Sequence, residues 1–192
     1  NFSLTQKTNQ ALLCYLLSNT RINGRHLCIV RFMAKFGFHL GLSNTSNKIW
    51  VCWSRSFAAN VLNSGDQFLH MAVTHKSITP VFHCTFVYAK CTRRECQELW
   101  STLSGIHVAS GHHSWLLGGD FNVIASFEEY SGSSPQDLGT MTDFNAFIHS
   151  SQLKHAQVIG STYTWSGIRN GRRIWKKLDR VLFNEKWDQR FP

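Results

Sequence analysis

Hydrophobic and polar positions alternate most regularly from Lys48 onward. Ile49-Trp50-Val51-Cys52-Trp53 is a continuous apolar run that predicts a strand. Asn63-Ser64-Gly65-Asp66 predicts a turn, and beyond it Leu69, Met71 and Val73 alternate along a second strand over 68–75. Pro80 opens a third strand, 81–89, with Phe82, Cys84, Phe86 and Tyr88 on one face and His83, Thr85 and Val87 on the other. Three adjacent strands point to an antiparallel portion of sheet.

The period then changes. Thr92 and Glu95 have the T-x-x-E spacing of a capping box, and Cys96, Leu99, Trp100, Leu103 and Ile106 form one apolar stripe of a helix. Trp115-Leu116-Leu117 reads as a short buried strand ended by Gly118 and Gly119. A Gly- and Ser-rich loop covers 126–139. A second helix starts near Thr140, with Asp143 in its first turn and Phe144, Phe147 and Ile148 facing inward. Thr162-Tyr163-Thr164-Trp165 predicts a strand, Ser166 to Gly171 a turn, and Arg172 to Asn184 a further strand carrying Ile174, Leu178 and Leu182. Residues 1–47 are less regular. Leu12, Leu13, Leu16 and Leu17 follow helical spacing, Gly37 and Gly41 interrupt 28–42, and Ser43-Asn44-Thr45-Ser46-Asn47 is a loop. Strands bracketing helices describe an α/β sandwich with packed sheet faces and outer helices.

Composition narrows the partners. A chain of 192 residues fits one domain or slightly more, and 43% hydrophobic residues with 7 Trp and 14 Phe are ample for a core. Lys plus Arg number 20 against 11 Asp plus Glu, and the net charge of +9 favours polyanions, nucleic acid first; a basic soluble protein without such a partner is the alternative. Cys14, Cys28, Cys52, Cys84, Cys91 and Cys96 include no C-x-x-C pair, so zinc spacing is absent and a reducing compartment is the simplest expectation. Cys52 and Cys84 are expected as buried thiols. The apolar run Ala11 to Leu17 is well short of the roughly 20 residues of a membrane span, so no membrane partner is expected. The first Met is Met33 and the chain stops at Phe191-Pro192, which reads as a piece of a longer protein.

Chemistry concentrates after the Trp115 strand. Asp120 and Asn122 stand two residues apart at a strand mouth, and Gly118-Gly119 leaves room for a ligand at the backbone. An Asx turn closing the strand is the competing reading. Asp179 lies in an otherwise basic strand, where it needs a partner, a proton or a metal; an ion pair with Arg180 or Lys176 would also satisfy it.

Four motifs in order carry a resemblance. Leu-Gly-Gly-Asp-Phe-Asn-Val (117–123), Thr-Tyr-Thr-Trp (162–165) and Lys-Leu-Asp-Arg-Val-Leu (177–182), with Tyr88 in Val87-Tyr88-Ala89-Lys90-Cys91-Thr92, resemble the endonuclease/exonuclease/phosphatase superfamily. Order and spacing are similar to the apurinic-endonuclease-like endonuclease domain of plant LINE-type (non-LTR) retrotransposons, as are Asn47-Lys48-Ile49-Trp50-Val51 and Arg173-Ile174-Trp175. The resemblance covers about residues 45–192, leaving 1–47 as a poorly matched segment before a partial domain at 48–192. It implies a DNase I-like four-layer α/β sandwich of two packed mixed sheets flanked by helices. The implied activity is phosphodiester hydrolysis of DNA dependent on Mg²⁺ or Mn²⁺.

By resemblance Asp120 orients or deprotonates the attacking water, Asn122 holds the scissile phosphate, Tyr88 contacts it and Asp179 orients a catalytic histidine. Asp120 and Asn122 are the implied metal ligands. Arg169, Arg172, Arg173, Lys176, Lys177 and Arg180 would grip DNA phosphates, unless they are only the charges that keep an edge strand from aggregating. Trp165 would lie near an unstacked nucleotide or else in the core. A downstream reverse transcriptase, a monomeric state and a nuclear site of action are further implications.

The chain also departs from the pattern. It has no Trp-Asn pair, its first Glu is Glu95, and no His follows an Asp. These departures lead to the expectation of a degenerate or truncated copy with weak or no activity. The alternatives are a non-catalytic basic nucleic-acid binder and a phosphatase of the same superfamily.

Overall fold

The computed structural model describes residues 2–5, 11–16, 33–35, 37–132, 136–157 and 160–191. Cys28 and Leu17 fall outside them. The chain divides into two compact units, Asn1–Tyr88 and Ala89–Pro192.

The first unit is built of strands. One sheet has the order β1-β2-β4-β3, from β1 (Phe2–Thr5), β2 (Ala11–Leu16), β3 (Leu40–Ser43) and β4 (Ile49–Trp53). All its pairings are antiparallel. The leucines at 12, 13 and 16 therefore lie on a strand, against the helix that their spacing predicts. A short apolar run carries no period of its own, and Leu13 pairs with Cys52 of β4 in the ladder. β4 sits between two neighbours with all five residues buried, as its unbroken apolar run requires.

β5 (Phe57–Ser64), β6 (Phe68–His75) and β7 (Ile78–Tyr88) form an antiparallel meander. The strand over 49–53 does not join β6 and β7 in one sheet, as three adjacent strands suggest; β5 intervenes. β5 escapes the pattern because most of its residues are exposed and its register shifts at Leu62. Leu69, Met71 and Val73 oppose Phe86, Cys84 and Phe82, which makes the buried face that alternation predicts. The loop at 43–47 is present. Buried Asn44 ties it down, donating to the carbonyls of Gly65 (2.9 Å) and Asp66 (3.0 Å) and accepting from the amides of Lys48 and Ile49 (both 3.0 Å).

The second unit packs helices on strands. α1 (Arg93–Ser110) starts at the predicted cap, where Thr92 accepts the Glu95 amide. Its stripe of Cys96, Leu99, Trp100, Leu103 and Ile106 is buried as expected. α2 (Leu138–Ser150) starts two residues earlier than predicted, because Asp137 caps it through the amides of Gly139 and Thr140. Asp143 instead takes the Arg93 guanidinium of α1 at 2.7 and 3.1 Å. Between these helices Trp100 lies 5.0 Å from Phe144, 5.3 Å from Phe147 and 6.1 Å from Phe121, ring to ring.

β8 (Ser114–Asp120) pairs antiparallel with β13 (Asp179–Phe183), and β13 with β10 (Lys154–His155). A smaller sheet has β9 (Tyr130–Ser131), β12 (Arg172–Lys176) and β11 (Trp165–Arg169), in the order β11-β12-β9. α3 (Glu185–Arg190) follows β13. The predicted single strand over 172–184 is thus two strands in two sheets. The predicted turn over 166–171 shrinks to Asn170-Gly171, with φ of 49° and 72°, the positive pair that a two-residue hairpin needs. Among the described residues no helix is long and apolar enough to cross a membrane.

Candidate active site

β8 delivers Asp120. Six of its seven residues are buried, and the residue just before Asp120 is Gly119, whose φ of 145° only glycine adopts readily. Asp120 Oδ1 then accepts the Asn122 amide at 2.9 Å, and Asn122 takes a left-handed φ of 52°. The Asx turn is real, and it is also what aims the pair: it bends the chain so that the Asn122 side chain comes back to donate to the Ala89 carbonyl. Ala89 closes the loop from the other side through its amide to the Asp120 carbonyl, 2.8 Å. Phe121 between them points into the aromatic cluster, and its amide bonds the Leu178 carbonyl at 2.9 Å.

Asp179 opens β13 directly opposite Asp120, so the two carboxylates lie on one face of the ladder. Thr164 braces that end of the strand, its Oγ1 accepting the amides of both Leu178 and Asp179 at 3.0 Å. The threonine of Thr-Tyr-Thr-Trp thus supports the Asp179 corner, a role its hydroxyl two residues after Thr162 only hints at. Burial pushes the Asp120 carboxyl up to about 6; the Asn122 amide works against this, and the Asp179 charge adds to it.

Arg180 does not satisfy Asp179. Its guanidinium, 3% exposed, pairs with Glu129 at 2.6 and 2.7 Å, so it is no part of a DNA-facing surface. Glu129 is the residue that sequence reasoning missed: it lies in the polar loop, on a 3-10 turn over Phe127–Glu129. Burial tends to raise its pKa, but the hydrogen bonds from Arg180 and Ala125 outweigh this and hold it below the usual carboxylate value. Lys177 pairs with the same carboxylate at 3.6 Å and is only partly exposed.

The remaining cations belong to the β11–β12 hairpin. Arg169, Arg172 and Arg173 are exposed, and Lys176 is half-buried over the Tyr130 ring at 5.6 Å. Burial, then the Arg169 charge, lowers the Lys176 pKa. Trp165 is 42% exposed, against the core position that competes in the sequence reading. The edge of its indole lies against Gly167, where a Cβ would come within 2.3 Å of it. Trp175 (41%) and Ile168 (68%) are exposed on the same hairpin, and Arg173 stacks 5.6 Å from the Trp175 ring. Tyr88 ends β7 in the first unit, where its amide bonds the Gln67 carbonyl at 2.8 Å and Lys48 lies 5.3 Å from its ring.

Among the described residues no group of three or more His, Cys, Asp and Glu stands close enough to hold a metal alone. Asp120, Asn122 and Asp179 nevertheless offer oxygen donors, and a desolvated carboxylate beside a second one is the environment a hard divalent cation relieves. Such a donor set leaves most of the coordination to water and substrate, as Mg²⁺ prefers.

Solved structures share this fold. The endonuclease domain of TRAS1, a telomere-specific non-LTR retrotransposon, matches with a TM-score of 0.63 at 12% identity, over 86% of this chain and 81% of that one. The human Nocturnin catalytic domain matches with a TM-score of 0.55 at 13% identity, over 91% of this chain and 69% of that one. ANGEL2, a 2′,3′-cyclic phosphatase, matches with a TM-score of 0.55 at 14% identity, over 90% and 70%. The expected fold class, a DNase I-like α/β sandwich, holds. No curated protein matches by sequence. The model of the Endonuclease/Exonuclease/phosphatase family matches residues 5–191, and the chain belongs to that family.

Proposed function

We propose that this chain is a LINE-type DNA endonuclease domain that binds DNA through the β11–β12 hairpin and hydrolyses its phosphodiesters slowly, with Mg²⁺ or Mn²⁺. The observation that carries the reading is the facing pair Asp120 and Asp179, with the Asp120 carboxyl raised to about 6, in the same unit as a hairpin of exposed arginines and tryptophans.

Asp120 and Asn122, with Asp179 opposite, would hold the metal, which supplies charge to the phosphate oxygens as they become more negative. Asp120, holding the metal through one carboxylate oxygen, would orient or deprotonate the attacking water with the other. Asn122 keeps one amide N–H on the Ala89 carbonyl, which orients the rest of the amide for a phosphate oxygen. Arg169, Arg172 and Arg173 hold the DNA backbone and carry no base readout. Slow turnover is expected because among the described residues no histidine pairs with Asp179, and losing one such group costs orders of magnitude in rate.

Nicking of supercoiled plasmid at enzyme excess tests this. The expected result is slow nicking that needs Mg²⁺ and is lost in Asp120→Ala. Tight, steeply salt-dependent DNA binding with no nicking at any Mg²⁺ concentration would make the chain a binder instead. Hydrolysis of small phosphate esters in preference to DNA would make it a phosphatase.

A further inference from the structure

The chain just after Asn122 is held by one largely buried ion pair. Arg180 of β13 is 3% exposed. Its Nη1 donates to Glu129 Oε1 at 2.7 Å and its Nη2 to Oε2 at 2.6 Å, a two-pronged match of guanidinium to carboxylate. Nη2 also donates to the Val123 carbonyl at 2.8 Å and the Lys177 carbonyl at 3.0 Å. Glu129 Oε2 in turn accepts the Ala125 amide at 2.6 Å. The pair therefore grips the chain at 123 and 125, immediately after Asn122. On the other flank the loop is held by the Phe121 amide on Leu178 and the Asn122 side chain on Ala89.

A buried ion pair is a poor way to gain stability, since apolar residues of similar volume often do as well. What apolar residues lack is direction. Arg180 and Glu129 supply a donor to two backbone carbonyls, those of Val123 and Lys177, and an acceptor to one backbone amide, and the register Arg180↔Gly119 sets that donor one residue from Asp179 and Asp120. We propose that Arg180 and Glu129 are a positioning pair, which fixes the backbone over 120–125 and so the aim of Asp120 and Asn122 at the phosphodiester. Its catalytic consequence rests on the function proposed above; its structural consequence does not.

Three variants test it: Glu129→Gln, Arg180→Lys, and the double change Glu129→Leu with Arg180→Met. Two readouts are taken on each, the ¹H–¹⁵N resonances of the Asn122 backbone and side-chain amides, and single-turnover plasmid nicking against DNA concentration. The expected result is folded protein with Asn122 resonances shifted or broadened. The nicking rate should fall on the order of tenfold to a hundredfold at an unchanged half-saturating DNA concentration, the signature of lost aim rather than lost binding. Arg180→Lys keeps the charge but loses the fork, and should be as impaired as Glu129→Gln. Unmoved Asn122 resonances in Glu129→Gln would overturn the proposal, whatever the double variant does. So would full nicking by the double variant or full rescue by lysine. If the unaltered protein fails to nick, the functional reading falls while the Asn122 resonances still decide the positioning role.

Discussion

Asp179 stands directly opposite Asp120 in the antiparallel register of β13 on β8, and Asn122 folds back beside them onto the Ala89 carbonyl. Burial makes the Asp120 carboxylate costly, and the Asp179 charge on the same face of the ladder adds to that cost.

That cost gives a pH-dependent stability. The Asp120 carboxyl titrates near 6 in the fold against 3.8 outside it, so the folded state holds its proton more tightly. Stability from this group is full below the unfolded value, declines as pH rises between about 4 and 6, and stays low above. Asp120→Asn keeps an oxygen for the Asx turn and removes the charge. Without metal it should raise unfolding free energy by about 2 to 3 kcal/mol at pH 8 and leave it unchanged at pH 3.5. Urea melts at the two pH values check this; equal effects at both would refute it.

Asn122 separates backbone from side-chain roles. At φ 52° glycine is unstrained and alanine is not. Both substitutions lose the bond to Ala89, so Asn122→Gly should be about 1 kcal/mol more stable than Asn122→Ala, while neither variant nicks DNA. Thermal unfolding of the two variants, run beside the nicking assay, reads both effects.

The hairpin cations should act on binding alone. Replacing Arg169, Arg172 or Arg173 singly by Ala should reduce the slope of log affinity against log salt by about 1 and weaken all DNA sequences alike. Fluorescence anisotropy between low and physiological salt measures the slope. A base-specific loss would place the residue in a groove rather than on phosphates.

Trp100 joins α1 to α2 through Phe121, Phe144 and Phe147. Trp100→Ala should cost about 3 to 5 kcal/mol, the range for a large buried aromatic. Because Phe121 lies between Asp120 and Asn122, the Asn122 amide signals should broaden as well. Chemical denaturation gives the first quantity and NMR the second.

Much of this was legible in the sequence where burial is one-sided. The stripe of α1 follows its period because its other face meets water, whereas β6 and β7 are buried on both faces and alternate only in residue type, with His70, His83 and Thr85 buried opposite the apolar face. Leu12, Leu13 and Leu16 misled because a six-residue apolar strand has no readable period, and β5 was silent because its residues are mostly exposed. At the candidate site, Asp120 and Asn122 were visible as polar residues at a strand mouth, and Asp179 as a carboxylate inside a basic strand. Glu129 and Thr164 were not, because each acts through partners distant in sequence: Arg180 is 51 positions from Glu129, and Leu178 is 14 from Thr164. Arg180 looked like one more surface cation until its burial showed otherwise.

The most direct measurement follows binding and cleavage of one DNA by the unaltered chain and Asp120→Ala, across a Mg²⁺ titration. Equal, salt-dependent binding by both proteins is expected, with slow Mg²⁺-dependent cleavage by the unaltered chain alone. Cleavage that survives in Asp120→Ala, or cleavage independent of Mg²⁺, would contradict the proposed function.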